Sequence, residues 1–142
     1  MSGDGAALAE AARRYLGTPF HLHGRSREEG LDCVGLLACT LADIGCRAVL
    51  PLGYGLRNRQ PEAHLACLAR SGFERQPDSA EVQTGDVIVV LPGPAQQHLL
   101  IAAAPDSFIH AHAGLRRVVL TGPPFPWRVA QHWRLSGSLP KD

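Results

Sequence analysis

Gly30-Leu31-Asp32-Cys33-Val34-Gly35-Leu36-Leu37 is the stretch that decides how the rest of the chain is read. It is a tight turn that delivers a cysteine onto the first turn of a buried helix. Asp32 is a strong N-cap, because its carboxylate can accept from an unpaired amide of the first turn. From Val34 the pattern is helical: Leu36, Leu37, Leu41 and Ile44 form an apolar stripe, and Gly45 is a C-terminal stop. A thiol at a helix N-terminus meets the positive end of the macrodipole and several unpaired amides, both of which favour the thiolate and lower its pKa. The same amides, that of Cys33 included, are placed to hold an oxyanion formed by attack at that sulfur. Taken alone, the stretch is equally compatible with Cys33 as a small buried hydrophobe, the commonest state of a free cysteine.

At 142 residues and 45% hydrophobic, the chain suits one domain with a real core. With 19% charged residues and a formal net charge of +1, there is no electrostatic case for nucleic acid or an anionic membrane as partner. Cys33, Cys39, Cys46 and Cys67 form no C-x-x-C pair and no dense disulfide pattern, so a reduced, cytoplasmic place of synthesis is expected. Met1 to Ala12 lacks a charged segment followed by an apolar run, so no secretory signal is visible, and no apolar run reaches the length of a membrane span. Action outside a cell would require delivery by something else.

In chain order, Asp4 is expected to cap a helix from Ala6 to Leu16 with Leu8, Ala12, Tyr15 and Leu16 facing inward, closed by Gly17 and Thr18-Pro19. A polar loop, Phe20 to Gly30, leads into the cysteine turn and a helix from Cys33 to about Ile44. Arg47 to Gln60 is irregular, and Pro61 opens a third helix through Leu68, closed at Gly72. Pro77 to Thr84 is a connection and Gly85-Asp86 a turn. The period then becomes strand-like: Val87 to Leu91, His98 to Ala103, Ser107 to Ala113 and Arg116 to Thr121. Pro123-Pro124-Phe125-Pro126 interrupts the pattern, Trp127 to Leu135 adds an edge strand or short helix, and Ser136 to Asp142 is a frayed tail. Helices followed by an antiparallel meander predict an α+β domain with the N-terminal helices on one face of a C-terminal sheet.

The histidines carry the second signal. Residues of equal parity share a strand face, so His98 looks the same way as Leu100 and Ala102, and Phe108, His110 and His112 share a face of the next strand. In any register pairing even with even, His98 stands across from or diagonal to His110 or His112, close enough for an imidazole–imidazole hydrogen bond. One ring could take the thiol proton while the other fixes its tautomer and angle. The structural alternative is a strand histidine satisfied by backbone, with one of the following pair buried and the other at the turn. A metal reading also exists: His21-x-His23 and His110-x-His112 each place two imidazoles on one side of an extended segment, and Cys33, His98 and His110 could form a three-ligand zinc site. With no second cysteine near Cys33 and no acid at a motif spacing, neither a metal nor a cofactor is expected.

Five segments occur in order: Leu16-Gly17-Thr18-Pro19-Phe20, Gly30-Leu31-Asp32-Cys33-Val34-Gly35-Leu36, Gly85-Asp86-Val87-Ile88-Val89, His98-Leu99-Leu100-Ile101 and Phe108-Ile109-His110-Ala111. Together they resemble the NlpC-type cell-wall peptidases, papain-like cysteine enzymes, over about Ala6 to Leu135. The likeness is closest to forms encoded by prophages and gene transfer agents. It implies Cys33 as nucleophile, His98 as general base and His110 as orienting third member. It also implies hydrolysis of an amide in peptidoglycan stem peptides, typically between γ-D-glutamate and a diamino acid, by a protein delivered to the wall with phage-like tail proteins as partners.

Substrate-binding positions follow from the same likeness: Asp32 for a substrate amine, and Phe20, Val34 and His23 at the cleft. Phe20 stands where the family usually has tyrosine, Val34 where cell-wall members usually have serine, and His23-Gly24 where a Gly-Gly pair is usual. The core machinery is therefore expected intact and the subsites altered. Two other readings remain compatible with the sequence: an amidase or acyltransferase acting on a small or lipid substrate, and a non-catalytic tail-assembly module that keeps the fold.

Overall fold

A computed structural model describes residues 3–46, 68–92, 98–122 and 127–135. The expected loop Arg47 to Gln60, most of the third helix from Pro61, the Pro123 to Pro126 interruption and the tail from Ser136 lie outside the described residues. Among the described residues two helices, α1 (Gly3–Arg13) and α2 (Cys33–Asp43), precede the main strands. Between them β1 (Arg25–Ser26) and β2 (Gly30–Leu31) form a small antiparallel pair. The sheet is built from β3 (Phe73–Gln76), β4 (Val87–Leu91), β5 (His98–Ala104), β6 (Ser107–His112), β7 (Arg117–Thr121) and β8 (Arg128–Leu135), in the order β3-β8-β4-β5-β6-β7. Every pairing is antiparallel. The architecture is the expected α+β one.

Alternation along the strands sorts the core into two faces. Val87, Val89, Ile101, Ala103, Ile109, Ala111 and Val118 pack against Leu8, Ala12, Leu36, Leu37 and Leu41 of the two helices. Ile88, Val90, Leu100, Ala102 and Phe108 form a second cluster on the other face, with Val82 and Trp127 against it. Because period-2 alternation leaves no ambiguity about which side chains share a face, the parity of the sequence sets this division.

Four expectations need correction. First, α1 spans Gly3–Arg13, so Asp4 lies inside its first turn and the chain leaves the helix before Tyr15. Residues 14–16 tighten into i→i−3 hydrogen bonds, and Gly17, at φ +88°, donates to Val118 O. That early exit turns Leu16 outward, 39% exposed rather than inward, while Tyr15 stays buried. Second, β3 is a strand where none is expected. Third, β8 is neither an edge strand nor a helix but an interior strand between β3 and β4. Fourth, the polar loop contains the β1–β2 pair.

A buried charge cluster locks β8 to the turn before β4. Asp86 is 1% exposed. Its Oδ2 meets His132 Nε2 at 2.5 Å and accepts from Gln83 N–H at 2.9 Å, and Arg134 donates to both oxygens at 3.0 Å. A buried carboxylate is tolerable only when it is well hydrogen-bonded, and four contacts serve this one. Beside it, Gly85 sits at φ +92°, where a Cβ would collide with the backbone of Gly5. The start of α1 is thereby seated directly on the turn that begins β4.

Candidate active site

The first turn of α2 forms as its residues require. Asp32 Oδ1 accepts from Gly35 N–H at 2.8 Å, a true N-cap. The same carboxylate accepts from His23 N–H at 2.7 Å and lies 3.3 Å from Arg25 Nη1. Asp32 is 2% exposed, so its oxygens are spent on holding the loop 21–25 against the helix. Gly35 is required by the same closure, since a Cβ there would strike the Gly24 carbonyl oxygen. Further along, Cys39 Sγ donates to Arg25 O at 3.1 Å, Tyr15 Oη donates to Asp43 at 2.6 Å, and the Arg27 guanidinium lies 4.5 Å over the Tyr15 ring. The loop before Cys33 is therefore fastened to α2 at two levels.

His23 holds this loop at a cost. Its φ is +64°, in the left-handed region where a side chain is disfavoured. Its side chain is exposed. Phe20 is half-buried against the main core, bridging Leu31, and Val34 is 5% exposed within the core.

Cys33 is partly exposed at the start of α2. Its sulfur meets the amides of Leu99, Val34 and Cys33 itself. The Leu99 amide is available because β5 and β6 are paired only from Ile101↔Ile109 onward. Toward His98 the two strands are no longer paired. The expected lowering of the thiol pKa does not occur. Burial pushes Cys33 up to about 11, with Asp32 adding to the rise, against the opposing pull of the three amides. The macrodipole argument names a real force, but desolvation of the thiolate exceeds it.

The histidines come together as parity predicts. His98 Nε2 and His110 Nδ1 are 2.7 Å apart, with ring planes at 71°. The bond is the diagonal one: the register Ile101↔Ile109 sets His98 two residues away from a position opposite His110. His110 is fully buried, and its Nε2 lies 2.9 Å from Thr121 Oγ1 on β7. Burial, then His110 and His112, push His98 down to about 3, and burial with His112 pushes His110 down to about 4. At neutral pH both rings are neutral. His112 plays a different part, since its Nδ1 accepts from Leu115 N–H at 3.1 Å and closes the β6–β7 turn. Among the described residues no hydrogen bond joins Cys33 to His98.

Two residues of this cluster escape sequence reasoning. Thr121 ends the hydrogen-bond chain, and only the register Phe108↔Thr121 shows that it stands diagonal to His110. Trp127 lies against all three imidazoles: ring centroids are 5.7 Å from His98, 5.7 Å from His110 and 6.3 Å from His112. Its place in the chain, just before β8, gives no hint of that position. Among the described residues no group of three or more His, Cys, Asp or Glu side chains is placed to hold a metal ion. His21 and His23 are both exposed, with His21 Nδ1 2.9 Å from Leu22 O.

No protein-family model matches the sequence, and no curated protein matches it. Solved structures do. The chain is similar to NlpC2 from Trichomonas vaginalis, with TM-score 0.70 and 18% identity over 92% of this chain. It spans 46% of the length of that protein. It is also similar to the NlpC/p60 domain of the peptidoglycan hydrolase SagA, with TM-score 0.62 and 23% identity over 89% of this chain and 97% of that domain. An N-acetylmuramoyl-L-alanine amidase from Bacteroides uniformis matches with TM-score 0.61 and 14% identity, over 92% of this chain and 98% of the other. The fold is that of NlpC/P60 domains.

Proposed function

We propose that this protein is a cysteine peptidase that hydrolyses peptidoglycan stem peptides, with Cys33 as nucleophile, His98 as general base and His110 as the residue that orients it. The observation that carries this reading is the His98–His110–Thr121 hydrogen-bond chain, which ends one residue from the Leu99 amide on which the Cys33 sulfur rests. Similarity in fold to a peptidoglycan hydrolase domain supports the substrate class.

The tautomers follow from the geometry. His98 spends Nε2 on His110, which leaves Nδ1 for the thiol. For Nδ1 to accept a proton, Nε2 must carry one and donate it to His110 Nδ1. His110 then carries its own proton on Nε2 and donates it to Thr121 Oγ1. On substrate binding the thiol proton passes to His98 Nδ1 and the sulfur attacks the amide carbon. The Cys33 and Val34 amides receive the developing oxyanion. His98 returns the proton to the leaving amine, and water, deprotonated by the same ring, releases the acyl group. At rest a thiol near 11 beside an imidazole near 3 is an un-ionised pair. In this reading the contact between them tightens when substrate binds, as catalytic hydrogen bonds often do. Asp32, buried and paired with Arg25, acts here by holding the turn.

Within this reading the scissile bond is the γ-D-glutamyl–diamino acid amide, and the motif set's likeness to prophage and gene-transfer-agent forms supports a phage-like tail as the setting. The amidase among similar structures favours one rival, cleavage at the muramoyl–alanine amide. Muropeptide analysis of purified sacculi separates them. The peptidase leaves a dipeptide on muramic acid, whereas an amidase leaves muramic acid bare. Digestion indistinguishable from that of Cys33→Ala would overturn the hydrolase reading.

A further inference from the structure

We propose that Trp127 is a positioning residue that packs edge-on against the imidazole pair and so keeps His98 oriented for the thiol. The inference rests on the reading of His98 as base. Trp127 is the one residue whose ring contacts include His98, His110 and His112 together among the described residues. The indole stands nearly perpendicular to both members of the pair, at 81° to His98 and 83° to His110. It also packs on the apolar cluster of Ile88, Val90, Leu100, Ala102 and Phe108, so it is anchored to the sheet face on which the histidines stand. Beside it β5 and β6 are no longer paired from Leu100 toward His98, where the His98–His110 hydrogen bond joins them instead. The indole is the apolar group that lies against the imidazole pair there.

Among the described residues the titratable groups facing His98 are His110 and His112 from β6 and, through the neighbouring Leu99 amide, Cys33 from α2. The two histidines disfavour its protonation, and burial disfavours it more. Burial is the part that Trp127 controls. Removing the indole lets more water reach the ring and raises its titration point toward the ordinary 6.5, which still leaves it mostly neutral at neutral pH. It also frees the ring to rotate away from the His110 bond.

The test is titration of the histidine side chains by long-range 1H–15N NMR in wild type, Trp127→Leu and Trp127→Phe, with wall hydrolysis measured in parallel. Trp127→Leu, smaller but still apolar, should raise the His98 titration point from about 3 toward 6.5 by about one pH unit or more. It should lower kcat with little change in KM, and Trp127→Phe should restore both. A folded Trp127→Leu protein whose His98 titrates as in wild type overturns the proposal. So does a loss of activity in which KM alone changes. A wild-type protein that does not digest wall refutes the hydrolase reading instead, and the NMR titration still decides the role of Trp127.

Discussion

Acid should destabilise this protein through its neutral histidine pair, and the size of the effect can be worked out for His110. In the unfolded chain a histidine titrates at its ordinary 6.5, and in the folded one burial and His112 hold His110 down to about 4. Between those values the unfolded state binds a proton that the native state refuses, so stability falls as pH falls. Integrating the linkage, His110 alone removes roughly 2.5 kcal/mol between about pH 7 and about pH 4.5. His98 adds in the same direction, lessened by its partial exposure. Carboxylates that are paired in the native state also lose stability in acid, so the measurement must be differential. Urea unfolding of wild type and His110→Gln, followed by circular dichroism and tryptophan fluorescence, supplies it if the two probes coincide. The variant is less stable at neutral pH, but its curve against pH should be flatter by the stated amount. Parallel curves, differing by a constant to within about 0.5 kcal/mol, would show that His110 is not held neutral by the fold, and the tautomer argument would fall with it.

Two other perturbations probe the parts around that pair. Thr121→Val should lower kcat by about tenfold or more with KM little changed, since it removes the acceptor that orients His110, and Thr121→Ser should recover most of the loss. His23→Gly should raise stability by roughly 0.5–1 kcal/mol, because relief of the left-handed backbone outweighs glycine's extra freedom in the unfolded chain. A urea midpoint that moves downward would mean the His23 side chain contributes more than its backbone costs.

The parts of this molecule that are legible in the sequence are those governed by local rules. Asp32 before an apolar helix, glycine at the turns and the even parity of His98 and His110 each follow from one residue's chemistry and a fixed period. The parts that are not legible depend on which distant segments meet. Phe73–Gln76 is too short and too charged to announce a strand, and it becomes one only because β8 lies beside it. Arg128–Leu135 reads as peripheral because nothing in its own residues names its neighbours, yet Asp86 binds both His132 and Arg134. Thr121 and Trp127 enter the site by the same route, through register and through a chain reversal. The thiol pKa is misjudged from sequence for a different reason: the N-terminal dipole is visible there, whereas the apolar wall opposing it is not.

The place of β8 has a consequence for how the protein comes into being. A ribosome makes β4 to β7 first, and their successive hairpins can bring His98, His110 and Thr121 together while the chain is still being extended. Arg128–Leu135 emerges afterwards and must enter between two strands made earlier, β3 and β4. Until it does, β3 lacks β8 beside it and Asp86 lacks His132 and Arg134, keeping only the local Gln83 amide. A product released early would thus carry the assembled histidine pair on an unfinished scaffold, exposed to proteases and to pairing with other chains.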